Sequence, residues 1–409
     1  MGQWAPILST IHHLIEAVMM SAYTFEVRPT PTRVELWVRM PNQTPTYIPA
    51  LWLRTRSEAP EERDLSTRQR LINPHLLATD LELTQALISG DALRLQFSDG
   101  LSTTLSLQRL TRDLTLDDEC PQSIAWRTAD WQTTEQATQV QRPLPRYDWR
   151  TLTQDEPFFR ALTDFIQYGF LLLHDTPTEP SSILTIARRF GYLRETNFGL
   201  LFDVHSIPPS EQADFSDDLA YRAIALAPHT DNPYRTPVPG IQLLHCLENQ
   251  TDGGYSTLVD SLAVCAHLKT EDPAGYALLT TIPLRFEYRG SQAQLVNVCP
   301  VIEQDGRGQM IGVHFSPRLC DLPLLDEAST RRLQAALGRL SSLFSDPSYE
   351  LHFKLMPGEL MMFDNNRVLH GRTAFDPTQG NRHLQGCYID RDTPRSHYRR
   401  LSQQLNRSL

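Results

Sequence analysis

No run of lysine or arginine stands out in this chain, whose 409 residues carry a net charge of −10 at pH 7. Neutralising phosphates takes clustered cations, so a nucleic-acid partner is not expected, and binding to an anionic membrane surface is disfavoured for the same reason. No stretch reaches about 18 uninterrupted apolar residues, so no transmembrane helix is predicted. Neither GxGxxG nor GxxxxGK[ST] occurs, which leaves nothing to favour a nucleotide-binding fold. The six cysteines, at 120, 246, 265, 299, 320 and 387, show no CxxC spacing. Neither a disulfide framework nor a thiolate zinc site is suggested, and reduced thiols in a cytoplasmic protein are the simplest reading. The opening MGQWAPILSTIHHLIEAVMM lacks a basic start, and Glu16 with two histidines interrupts its apolar run, so it is not read as a secretory signal. Apolar residues at 7, 11, 14, 15 and 18 fit one face of a short helix, and a true start at Met19 or Met20 is an equal alternative.

What remains is ordinary globular composition, 40% hydrophobic and 21% charged, at a length that suits one large domain plus a smaller one. Twenty-nine prolines favour loops and strands over long helices. Residues 22–112 read as a small β-rich N-terminal domain: YTFEVRPTPTRVELWVRM and ALRLQFSDGLSTTLSLQRL alternate apolar and polar positions, with SDG as a hairpin turn. Between them STRQRLINPHLL and LELTQALI are less regular. Residues 113–147 read as a linker. From 148 to 400 the character changes. EPFFRALTDFIQYG is a predicted helix, FLLLHDT a buried strand, and SSILTIARRFG a second helix with Ser181 or Ser182 as N-cap and Gly191 as its stop. IQLLHCL, GYSTLVDS, LRFEYRG, MIGVHFSP, ELHFKLM, ELMMFDN and HLQGCYIDR follow as short strands, with a helix over DEASTRRLQAALGRLSSLF. No internal repeat is visible. The fold class expected is mainly β with flanking helices, a double-stranded β-helix (jelly-roll) catalytic domain plus the small N-terminal domain.

In APHTDNPYRTPVPG, His229 and Asp231 stand two apart, so on an extended backbone their side chains leave the same face. Two histidines and a carboxylate hold Fe(II) on one face and leave the opposite positions open. LMMFDNNRVLHGRTAF offers His370 as the third ligand, just past an apolar strand. An isolated HxD is common on surfaces; His245 in LLHC reads as a core histidine, and His352 and His383 carry no pattern. Arg382 lies twelve residues beyond His370, where a guanidinium clamps a carboxylate in two-pronged fashion. A ferrous centre with a carboxylate clamp is what a 2-oxoglutarate-dependent oxygenase requires.

The blocks APHTDNPYRTPVPGIQLLHCLENQTDGGYSTLVD, PGELMMFDNNRVLHGR and RHLQGCYIDRD resemble the γ-butyrobetaine and trimethyllysine hydroxylases, within the taurine-dioxygenase-like Fe(II)/2-oxoglutarate enzymes. The resemblance covers roughly 148–400 strongly and the N-terminal part weakly. It implies Fe(II), 2-oxoglutarate and O2 as the reaction's partners, with His229, Asp231 and His370 as iron ligands, Arg382 on the distal carboxylate of 2-oxoglutarate and Ser256 beside it. It also implies an aromatic cage for a trimethylammonium group at Phe198, Phe202, Tyr221 and Tyr388, since such a cation donates no hydrogen bonds and is held by ring faces. Asp218 stands where relatives commonly have Asn, either as added attraction for the cation or as a solvated loop acid. The strand VHFSPRL lacks the family's Asn-rich sequence, and its Arg318 either binds a substrate carboxylate or phosphonate or serves a structural ion pair. The substrates implied are γ-butyrobetaine, trimethyllysine or 2-trimethylaminoethylphosphonate. A sulfonate or amino-acid oxygenase and a metal-free cation-binding module are the rival readings. Relatives carry a zinc site of three cysteines and a histidine in the N-terminal domain; the matching ALWLRTRSEAPEERDLSTRQRL has no cysteine, so no structural zinc is expected, and the domain is expected to pack on the catalytic domain or mediate a homodimer.

Overall fold

The computed structural model describes residues 23–31, 33–115, 118–132, 141–205, 224–291, 293–376 and 378–406. It forms two compact units, Met1–Glu119 and Cys120–Leu409. The helix expected before residue 19 lies outside the described residues. The chain is mainly β with flanking helices, and among the described residues no helix is long and apolar enough to cross a membrane.

The first unit holds two three-stranded antiparallel sheets, Thr24–Pro29, Val34–Arg39 and Thr46–Ile48, then Leu83–Ser89, Ala92–Phe97 and Ser102–Ser106. Alternation works as anticipated: in Ala92–Phe97, Leu93, Leu95 and Phe97 are buried and join Leu36, Leu53 and Leu105 in one core. Gly100 closes the expected SDG hairpin at φ +87°, a conformation that side chains disfavour. LELTQALI, irregular in sequence, is a strand from Leu83 with one shift of register between Leu83 and Gln85, because its pairing with Ala92–Phe97 supplies the order that its own pattern lacks. The 50–71 stretch is tied by ion pairs: Arg54 to Glu62 at 2.6 Å and Asp99 at 2.8 Å, and Glu58 to Arg63, Arg68 and Arg109.

The segment read as a linker, 113–147, crosses the boundary between the units. On its far side Trp126 and Trp131 are buried and pack edge to face on one another, while Phe170 meets Trp131 edge to face and Trp126 at a tilt of 56°. Stretches such as TLDDECPQ and QVQRPLPRYDW signal a loop, but two indoles are large enough to anchor an irregular chain in a core.

In the second unit the helix Asp155–Tyr168 buries Phe158, Ala161, Leu162, Phe165 and Ile166, the stripe that a 3.6-residue period demands. Asp155 and Glu156 favour its N-terminus, and Gly169 ends it at φ +78°. A Cβ on Gly169 would stand 2.9 Å from Arg367 Cδ and from Val368, so glycine is required twice over. The helix Ser182–Phe190 has Ser181 as N-cap, without a side-chain cap bond, and Gly191 at its end.

Two sheets make the centre. The larger runs Leu193–Arg194, Arg382–Ile389, Ile241–Asn249, Leu360–Asp364, Phe170–His174, Arg146–Asp148, and Phe202–His205 also pairs with Arg382–Ile389. The smaller runs Leu226–His229, Val368–Arg372, Ser256–Asp260, Glu350–Phe353. A strand's two faces alternate, and here each has its own partner. Leu171, Leu243, Met362 and Ile389 pack against the helices, whereas Phe170, Leu244, Phe363 and Leu384 share a core with Leu258, Leu351 and Val368 of the smaller sheet. Each fully buried side chain of this kind stabilises the fold by roughly 2 kcal/mol. Arg367, in the turn between two strands, donates to both oxygens of the fully buried Asp260 and to the carbonyls of Gln167 and Ile124.

Candidate metal centre and substrate cavity

His229 ends its strand directly opposite His370 in the smaller sheet. Such a pair brings side chains together, and the imidazole centroids are 4.4 Å apart at 39°. The strand stops at His229, so Asp231 does not reach the same face by simple extension. Its amide donates to Asn365 Oδ1 at 2.7 Å, and Asn365 Nδ2 donates to the Asp231 carbonyl at 2.9 Å, which holds the bend. The carboxylate thereby lies with Oδ1 3.4 Å from His229 Nε2 and Oδ2 3.9 Å from His370 Nε2. Donor atoms of the three residues fall within 4.8 Å of one another, and among the described residues no other cluster of this kind occurs.

The donor set suits a divalent ion. His229 Nδ1 lies 2.9 Å from the Ala227 carbonyl, which can only accept, so Nδ1 donates there and Nε2 is the nitrogen turned toward Asp231. Burial pushes His370 down to about 3, with His229 and Arg318 adding and Asp231 opposing, so its ring is neutral. Burial would raise Asp231, but His370, His229 and the Tyr388 hydroxyl outweigh it and hold the carboxyl below its ordinary range. A neutral imidazole beside an ionised carboxylate is the protonation state that metal binding needs.

The three residues open into a cavity of about 320 Å³ between the sheets. Arg382, Ser256, Phe198, Phe202, Tyr388 and Arg318 all line it; Asp218 and Tyr221 lie outside the described residues. Arg382 is 3% exposed, with its guanidinium 5.2 Å from the Phe375 ring, and burial pushes it down to about 10. The buried Ser256 pairs with Arg372 across the smaller sheet. Phe202 pairs with Gly386, where a Cβ would collide with its ring, so the glycine lets the ring lie over the sheet. Phe202 and Tyr388 tilt together at 5.5 Å, and Phe198, Tyr288 and Tyr234 form a second aromatic run, with centroids 5.8 and 5.2 Å apart.

Arg372, Tyr234 and Tyr288 are among the lining residues that the sequence reading missed. Arg372 stands two after His370 on one strand, so the HGR block carried its signal. Tyr234 sits in the loop that follows Asp231. Tyr288 comes from a separate sheet, Pro283–Arg289 with Gln294–Pro300 and Cys320–Asp321, where no motif marks it. His245 is fully buried with Nε2 2.9 Å from Thr176 Oγ1, a core role away from the cavity lining.

The model of the family described as taurine catabolism dioxygenase TauD, TfdA family matches residues 133–388, and the chain belongs to that family of dioxygenases. The γ-butyrobetaine dioxygenase of Pseudomonas sp. (strain AK-1) is 39% identical over 250 residues, covering 61% of this chain and 64% of that protein. The trimethyllysine dioxygenase of Meyerozyma guilliermondii is 30% identical over 262 residues, covering 61% and 63%. The human γ-butyrobetaine dioxygenase is 30% identical over 275 residues, covering 64% and 68%. The match thus spans less than two thirds of the Pseudomonas and Meyerozyma proteins.

Proposed function

We propose that the chain is an Fe(II)/2-oxoglutarate-dependent dioxygenase that hydroxylates an unactivated C–H bond of a small quaternary-ammonium substrate resembling γ-butyrobetaine. The observation that carries this reading is the His229–His370 pair with Asp231 at the wall of a cavity that also holds Arg382 and an aromatic lining. In this reading the central sheets are a double-stranded β-helix, and residues 22–112 are a separate small domain.

His229, Asp231 and His370 would hold the iron on one face, leaving positions for the keto acid and O2. With iron bound, the chemistry supplied is oxidation of 2-oxoglutarate to succinate and CO2 coupled to hydroxylation of the substrate. The protein's own work is position. Arg382 receives the distal carboxylate in a pocket where burial strengthens charge pairing, and Ser256 offers a hydroxyl nearby. Phe198, Phe202 and Tyr388, joined by Tyr234 and Tyr288, present ring faces to a cation that cannot hydrogen-bond. Fixing that end away from the metal presents one methylene for reaction. Arg318 supplies a guanidinium for the substrate's anionic end, which also supports 2-trimethylaminoethylphosphonate or trimethyllysine as the substrate.

The test is an anaerobic reconstitution with Fe(II) and 2-oxoglutarate, then O2 and a panel of these three compounds, read as succinate release. Stimulation by a trimethylammonium compound, and not by its neutral tert-butyl isostere, is the expected result. Equal stimulation by both would remove the cation from the proposal, and succinate release at wild-type rate from His229→Ala would remove the metal assignment.

A further inference from the structure

We propose that Tyr388 is a positioning residue for the metal's carboxylate ligand and couples that ligand to occupancy of the cavity's aromatic end. The proposal rests on the metal reading above. A carboxylate offers two chemically equivalent oxygens, and something must decide which faces the ion. Tyr388 Oη donates to Asp231 Oδ2 at 2.8 Å. Oδ1, the oxygen 3.4 Å from His229 Nε2, is thereby left to complete the triad. Hydrogen bonds of this kind to a ligating group orient it and tune its basicity.

The tyrosine is itself rigidly placed. It is 3% exposed and paired with Gln242 on one side and Arg194 on the other, within the larger sheet. Its ring lies 5.5 Å from Phe202 and lines the cavity. One side chain thus touches both the metal-binding carboxylate and the aromatic wall. Asn365 holds the Asp231 backbone through two hydrogen bonds, so removing the Tyr388 hydroxyl releases the carboxylate torsion and leaves the bend in place. A cation seated against the Phe202–Tyr388 pair bears on the same hydroxyl, which links substrate arrival to ligand orientation.

The test uses the full chain with Co(II), an oxygen-stable probe whose visible absorption reports ligand geometry, and with γ-butyrobetaine. Tyr388→Phe keeps the ring and removes the hydroxyl. It is expected to weaken Co(II) binding about 10- to 100-fold and to alter the visible band. A folded Tyr388→Phe with wild-type affinity and band overturns the positioning role. In the wild type itself, γ-butyrobetaine is expected to shift the Co(II) band, and no shift overturns the coupling whatever the variant does. His229→Ala separates the two claims: wild-type Co(II) binding there defeats the triad, whereas its loss beside an unchanged Tyr388→Phe defeats only the role of Tyr388.

Discussion

In the unit ending at Glu119, Arg54 is 5% exposed and donates through its two terminal nitrogens to Glu62 and through Nε to Asp99. In the unit beginning at Cys120, Arg382 is 3% exposed and lines the cavity. Burial pulls both guanidinium groups down. For Arg54 the two carboxylates more than offset it and the group ends above its ordinary value, while Arg382 ends at about 10. Depth alone therefore does not separate structure from function. A buried cation that donates to two carboxylates of its own chain holds the fold together; one that lines a cavity stands where an incoming anion can meet it. Arg367 belongs with Arg54, since both of its contacts to Asp260 are internal.

That contrast can be broken at three places. The largest effect is expected from Arg54→Met, which strands Glu62 and Asp99 and should destabilise the first unit by about 3–5 kcal/mol, read from its urea midpoint. Binding of 2-oxoglutarate should be untouched, and a weakened keto acid would merge the two kinds of arginine. Next is acid sensitivity of the second unit. Thr176 gives its proton to the Gly358 carbonyl, so His245 Nε2 donates to Thr176, and burial pushes the ring from 6.5 down to about 4. Between these values only the unfolded chain takes up the proton, so stability is present above pH 6.5 and falls as the pH drops toward 4. The loss reaches about 3 kcal/mol, and His245→Asn should flatten that slope. An unchanged slope would mean that the ring is protonated in the fold. The smallest effect is expected from Arg382→Lys, which keeps the charge and loses the planar fork; 2-oxoglutarate binding should weaken roughly tenfold, about 1.4 kcal/mol, in a calorimetric titration. Wild-type affinity would move the anion site elsewhere.

Much of the candidate centre was legible because each piece has a local signature. HTD, VLHGR and the arginine twelve residues on are short blocks, and the pairing of His229 with His370 brings them together. The helices Asp155–Tyr168 and Ser182–Phe190 were legible from periodicity and terminal glycines. What escaped depends on distant partners. Tyr288 reaches the cavity from a strand whose own pattern says only that it is half buried. Leu83–Ser89 is ordered by its neighbour, and the two buried tryptophans sit in a polar stretch without helix or strand periodicity, which reads as a linker.

The central claim is that His229, Asp231 and His370 share a metal. Fe(II) uptake by the full chain under anaerobic equilibrium dialysis, compared with Asp231→Ala, tests it most directly. A single ion per wild-type chain and none in the folded variant is the predicted result; equal uptake by both, or none by the wild type, would contradict it.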